Sequence, residues 1–226
     1  MQKKIIFIVG FPGTKKSFIR HFFDTQINFE TYKWSNLFLN ALNLDKKNLT
    51  LDNVEKLITK ELENPFYLCE AVIAKKLIKN IKEFILIDGV KNISQVDYLS
   101  QSLKRRYLIV RTAHNEKKRL KSVSARGQFD DLEDNRRMSQ LKKLGLGELL
   151  KQAKLAIDTT NVSVNIEENN KKAKILFTHK FCSDLLQLVD ALIPNNKKSI
   201  NHDSVLVNYK KEFSAKGFDV KTGYTD

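Results

Sequence analysis

An unbroken apolar run, Ile5-Ile6-Phe7-Ile8-Val9, feeds directly into Gly10-Phe11-Pro12-Gly13-Thr14-Lys15-Lys16-Ser17. Five consecutive apolar residues suit a strand buried on both faces, and such strands belong to parallel sheets covered by helices. Phe18-Ile19-Arg20-His21-Phe22-Phe23 follows the glycine turn with spacing suited to a packed helix. Strand, glycine turn and helix in this order leave several backbone N–H groups converging on one concavity. With the helix dipole behind them, these donors form an anion cradle.

The spacing matches the phosphate-binding loop G-x-x-x-x-G-K-[ST] at every position but one. Gly10 and Gly13 supply the unusual backbone angles. Pro12, Thr14 and Lys15 complete the loop, Lys16 reaches toward β- and γ-phosphates, and Ser17 places a hydroxyl on Mg²⁺. Lys15 stands where the motif has glycine. A side chain held in sparsely populated backbone angles costs about 1–3 kcal/mol. The plainer alternative is a glycine turn between strand and helix with no ligand.

The chain has 226 residues and a formal charge of +14, which calls for a polyanionic partner. Nine Lys or Arg residues lie between Lys104 and Arg126 against one acid, Glu116. This stretch could clamp a nucleotide, track nucleic acid as one basic face over 104–126, or simply solvate a helix. Cys69 and Cys182 are far apart, which suits buried thiols in a reducing compartment rather than a disulfide or zinc scaffold. The four histidines show no metal-ligand spacing. No apolar run is long enough to cross a bilayer, so the expectation is a cytoplasmic protein without membrane contact.

Strands are expected at Lys4–Val9, near Asn28–Tyr32, and at Glu83–Asp88, Tyr107–Arg111 and Leu155–Thr159, with helices in most intervals. That alternation implies an α/β fold with a parallel sheet. Helices are expected over Tyr67–Ile81 and Val96–Leu103, and a β-hairpin over 162–177 before a last helix, Lys180–Leu192. Residues 195–226, beginning Asn195-Asn196-Lys197-Lys198, form a polar, weakly ordered tail or a partner-binding segment on this reading. Domain 1–194 therefore carries the fold.

Beyond the loop come Leu86-Ile87-Asp88-Gly89-Val90-Lys91, then Ser124-Ala125-Arg126-Gly127-Gln128-Phe129-Asp130-Asp131, Arg136-Arg137 and Leu144-Gly145-Leu146-Gly147-Glu148. With Thr50-Leu51-Asp52-Asn53-Val54, the set resembles, over residues 3–160, an archaeal-type family of P-loop nucleotide kinases described as dephospho-CoA-kinase-like or adenylate-kinase-like. The resemblance implies a nucleoside-monophosphate-kinase-like P-loop NTPase sheet of order 2-3-1-4-5, with a lid over about 112–147. It also implies ATP and Mg²⁺ as cofactors. Lys16, Asp88, Arg126 and Arg136 would be catalytic, Ser17 and Asp88 would organise Mg²⁺, and Asn36, Asp88 and Lys91 would meet the acceptor nucleotide. Arg119 and Arg137 are further lid candidates.

The departures fall on phosphate-handling positions. Lys91 replaces the arginine of D-G-I-R, and lysine lacks the planar bidentate fork. Gln128 replaces the second arginine of R-G-R, while Asn36 and Leu39 stand where the family carries G-D-x-x-R. Trp34 either lines an acceptor pocket or packs in the core. Two functions stay open: phosphoryl transfer from ATP to a nucleotide-like acceptor, or a catalytically degenerate module binding nucleic acid or a ribonucleoprotein.

Overall fold

The computed structural model describes residues 3–26, 29–41, 51–64, 66, 69–70, 83–124, 131–167, 169–193 and 200–225. Strand β1 (Lys4–Val9) is buried from Ile5 onward. It is central because it pairs in parallel with β3 (Phe84–Asp88) on one side and β4 (Arg106–Ala113) on the other. Strand β2 (Glu30–Lys33) flanks β3, and β5 (Leu155–Asp158) flanks β4, both in parallel. The sheet order is β2-β3-β1-β4-β5, the order 2-3-1-4-5 expected from the sequence. With the glycine loop leaving β1, this is a nucleoside-monophosphate-kinase-like P-loop fold.

Alternation along β1 divides the core. Ile5, Phe7 and Val9 face Trp34, Val96, Leu99, Leu144 and Leu149. Ile6 and Ile8 face Ile19, Phe22, Phe23, Phe181 and Leu185. The first layer draws on α2 (Trp34–Ala41), α3 (Leu51–Glu63) and α4 (Ile93–Ser102), with α5 (Glu116–Ser124), α6 (Asp131–Lys143) and α7 (Leu146–Lys151) later in the chain. The opposite layer contains α1 (Lys16–Gln26) and α8 (His179–Leu192). Asn92 caps α4 by accepting from the Gln95 amide at 2.8 Å, which starts that helix three residues before the expected Val96. The helix expected over Tyr67–Ile81 lies almost entirely outside the described residues.

The C-terminal expectation is corrected. The hairpin is present as β6 (Ser163–Glu167) and β7 (Lys172–Phe177), paired antiparallel. However, α8 is not the last helix, and 200–225 is not a weakly ordered tail. Helix α9 (His202–Ala215) and strand β8 (Asp219–Tyr224) follow, and β8 joins β7 in parallel as the third strand of a second sheet. The physical reason is a sparse apolar stripe: only Val205, Asn208 and Tyr209 of α9 are buried. A narrow stripe on a polar helix gives little periodicity to read. Asn201 and Ser204 form a reciprocal capping box that starts α9.

Among the described residues, no helix is long and apolar enough to cross a membrane.

Candidate active site

The loop between β1 and α1 is held by hydroxyls and one arginine from neighbouring elements. A Cβ on Gly10 would lie 2.0 Å from Thr112 Oγ1, so only glycine lets β1 pass that strand. Thr14 Oγ1 donates to the Phe11 carbonyl at 2.8 Å and lies 2.6 Å from Thr112 Oγ1. Thr159 Oγ1, just after β5, lies 3.1 Å from the Thr14 carbonyl and 3.0 Å from that of Ala113. Arg119 of α5 donates to the Pro12 carbonyl at 3.2 Å. Gly13 takes φ +82°, and a Cβ there would lie 2.8 Å from Val123 Cγ2. Pro12 is half-buried beside it.

Lys15 takes φ +56°, the left-handed conformation that the motif's glycine exists to provide. Lys15 therefore keeps the angle a glycine would take, at a local cost of about 1–2 kcal/mol. Lys15→Gly is expected to leave stability within about 1 kcal/mol of wild type, because relieved strain is offset by the glycine's greater unfolded-state entropy. Lys15→Val should lose about 1 kcal/mol or more, since β-branched residues tolerate positive φ least. Urea denaturation separates the two; equal losses would contradict a left-handed Lys15.

Lys16 opens α1 and folds back over the loop, donating from Nζ to the carbonyls of Gly10 at 2.8 Å and Phe11 at 2.9 Å. Ser17 is exposed in the first turn. Arg20, three residues on and on the same helical face, donates from Nε to Asp88 Oδ2 at 2.9 Å. Asp88 ends β3 and is 4% exposed. The fold thus brings Lys16, Ser17 and Asp88 to one end of the sheet, with Arg20 as a partner that sequence reading missed. Its i+3 spacing from Ser17 was the available signal. The glycine cradle, the left-handed Lys15 and the hydroxyl of Ser17 suit a triphosphate with Mg²⁺.

Of the residues expected to meet an acceptor, Lys91 is held by a second missed residue. Glu61 of α3 is fully buried and takes the Lys91 ammonium as an ion-pair partner. Gln95 Nε2 donates to the same carboxylate at 3.1 Å, and Trp34 Nε1 at 3.4 Å. Trp34 is a core residue with 0% exposure rather than a pocket wall. Asn36 Oδ1 is buried without a hydrogen-bond partner among the described residues. Nothing in the local sequence singles out Glu61 among the acids of α3; only the tertiary fold does.

The lid candidates separate. Arg136 is exposed on α6 and Arg137 half-buried, while Arg126 and Gln128 lie outside the described residues. Arg119 is not an exposed lid arginine: it is 1% exposed, with Glu116 accepting from its Nε at 2.9 Å and its terminal nitrogen at 2.7 Å. Leu141, Leu144 and Leu146, toward the end of the expected lid, are buried in the core. The basic stretch 104–126 is likewise not one face. Eight residues of β4 run through it, so Lys104–Arg106 and the lysines of α5 lie about 20 Å apart or more at opposite ends of the strand.

Near the loop, His114 has its pKa lowered, first by burial and then by the Lys15 charge. Its ring Nδ1 lies 3.3 Å from Thr159 Oγ1. The folded state therefore holds His114 neutral where the unfolded chain, near 6.5, begins to take up a proton. Stability is expected to be full above that value and to fall as pH drops below it, and His114→Gln should flatten this part of the profile. Urea denaturation between pH 5 and 8 measures the slope; an unchanged slope in the variant would contradict this. Burial pushes the thiols of Cys69 and Cys182 up to about 12, which leaves neither a nucleophile at neutral pH.

No protein-family model matches the sequence, and no curated protein is significantly similar to it. Solved structures are similar in fold. TT1252 from Thermus thermophilus superposes with a TM-score of 0.53 at 14% identity, covering 85% of this chain and 97% of its own. A shikimate kinase from Bacteroides thetaiotaomicron gives 0.51 at 11% identity, covering 85% and 99%. At these identities the likeness establishes the shared fold.

Proposed function

We propose that the protein binds ATP with Mg²⁺ at Gly10–Ser17 and transfers the γ-phosphoryl group to a nucleotide-like acceptor, a nucleoside monophosphate or dephospho-CoA. The observation that carries this reading is Lys15 at φ +56°: the residue in the glycine's place takes the left-handed angle that the motif's glycine provides. Lys16 would exchange its two loop carbonyls for phosphate oxygens, a shift of one flexible side chain. Ser17 and Asp88 would hold the metal's shell, with Arg20 orienting Asp88. Arg126 and Arg136 would neutralise charge on the transferred group. Bound Mg·ATP supplies the phosphoryl donor; the protein's contribution is positioning and electrostatics. The shikimate kinase with the same fold supports a kinase reaction at the level of class.

A second reading, a degenerate binding module, draws on the Lys91–Glu61 pair, because it commits to a carboxylate the cation expected to meet the acceptor. A coupled ADP-release assay with nucleoside monophosphates and dephospho-CoA decides between them. Acceptor-dependent turnover that falls at least about a hundredfold in Lys16→Ala is expected of the kinase. ATP binding without turnover on any of these acceptors would favour the module.

A further inference from the structure

The basic residues at the far end of β4 form a groove of their own. A cavity of about 590 Å³ opens beside the start of β4, lined by Lys104, Arg105, Arg106, Tyr107, Gln101 and Lys154 among others, and by no acid among the described residues. It lies at the amino-terminal end of the strands, opposite the carboxyl-terminal end from which the Gly10–Ser17 loop leaves β1. Lys104 turns the chain out of α4 with φ +51°, and Lys154 is set beside Ile109 by its backbone N–H, which donates to the Ile109 carbonyl at 3.2 Å. Lys104, Arg106 and Lys154 are exposed, whereas Arg105 is buried and donates to the Glu83 carbonyl at 3.3 Å.

The simplest role for these cations is to offset the carboxyl ends of α4 and α7, which approach the groove. Two helix ends carry about one unit of negative partial charge between them, too little to account for four cations. The surplus is positive, in a chain whose formal charge is +14. Tyr107 is 41% exposed, with its hydroxyl fixed on Asp97 at 3.0 Å, so part of its ring meets solvent in a set orientation. Lysine and arginine beside an open aromatic ring and glutamine amides, with the Asp97 carboxylate taken up by the tyrosine hydroxyl, is the chemistry of a backbone-tracking groove for single strands.

We infer that this groove binds single-stranded nucleic acid through its phosphate backbone, independently of the nucleotide loop. The test is fluorescence anisotropy with a labelled twenty-nucleotide oligouridylate at 50–300 mM KCl. Lys104→Ala/Arg106→Ala/Lys154→Ala is compared with Lys117→Ala/Lys118→Ala/Lys121→Ala at the other end of β4. All six residues are surface lysines or arginines, and melting curves check that both variants fold. Each phosphate of a single strand that goes un-neutralised lowers the salt slope by about 0.7, so the groove variant should lose about 2 units and at least about tenfold in affinity. The second variant and Lys16→Ala should bind as wild type. Equal weakening in both triple variants would mean diffuse charge and overturn the proposal, as would absence of binding at 50 mM KCl. Undiminished competition by uridine monophosphate at equal phosphate concentration would also overturn it, by showing a mononucleotide pocket. None of these outcomes depends on whether the loop at Gly10–Ser17 holds ATP.

Discussion

A chain ending at Ile193 is expected not to fold cooperatively at 25 °C, although it retains the whole five-stranded sheet. Helix α9 lies against α1, the helix that carries Lys16, Ser17 and Arg20. Tyr209 is 1% exposed, with its ring 4.8 Å from Phe177 and 5.4 Å from Phe18, and its hydroxyl donates to the Phe18 carbonyl. Asn208 donates to Thr25 Oγ1 at 2.6 Å, and His21 meets Glu212 at 2.7 Å. Removing α9 and β8 exposes this face and discards the buried Val205, Tyr209 and Val220. At about 1.5–3 kcal/mol for each large apolar side chain, the loss rivals the 5–15 kcal/mol that holds a domain together. Tyr209→Ala alone should cost about 3–5 kcal/mol. Thermal melts followed by circular dichroism measure both; a truncated chain melting within a few degrees of full length would contradict this packing.

Arg119→Ala is expected to destabilise by about 3 kcal/mol and to weaken ATP binding at least about tenfold. The ion pair with Glu116 contributes little of this, because that carboxylate is largely exposed. The main losses are the Pro12 carbonyl's donor and the packing of a 1% exposed stem against Gly13. Arg119→Lys keeps much of the stem but loses the planar fork, so it should fall between wild type and alanine. Urea denaturation with calorimetric ATP titration separates stability from affinity. A stable Arg119→Ala with full affinity would show that the brace on Pro12 is idle.

The sheet was legible because its strands are apolar runs that need no tertiary context, as Ile5–Val9 and Phe84–Ile87 illustrate. The glycine loop was legible for a related reason: its spacing encodes local backbone geometry, and even its altered residue takes the angle glycine would. What escaped reading is long-range. Strand β8 exists only because β7, more than forty residues earlier, offers it an edge. Glu61 matters because folding brings α3 beside Lys91 and Gln95. Arg119 was a lid candidate through the family resemblance, and burial beneath the loop made it structural instead. The run of cations over 104–126 misled for a simpler reason, since neighbours in sequence are separated in space by the length of a strand.

Whether Gly10–Ser17 binds a nucleoside triphosphate with Lys15 in place of glycine is tested most directly by calorimetric titration of ATP, with and without Mg²⁺, into wild type and Lys16→Ala. Saturable, Mg²⁺-enhanced binding to wild type is predicted, accompanied by a melting shift worth about 2.7 kcal/mol at ATP a hundredfold above Kd. Lys16→Ala should melt as wild type without ligand and lose at least about tenfold in affinity. No binding heat and no melting shift at millimolar ATP, or undiminished binding in Lys16→Ala, would contradict it.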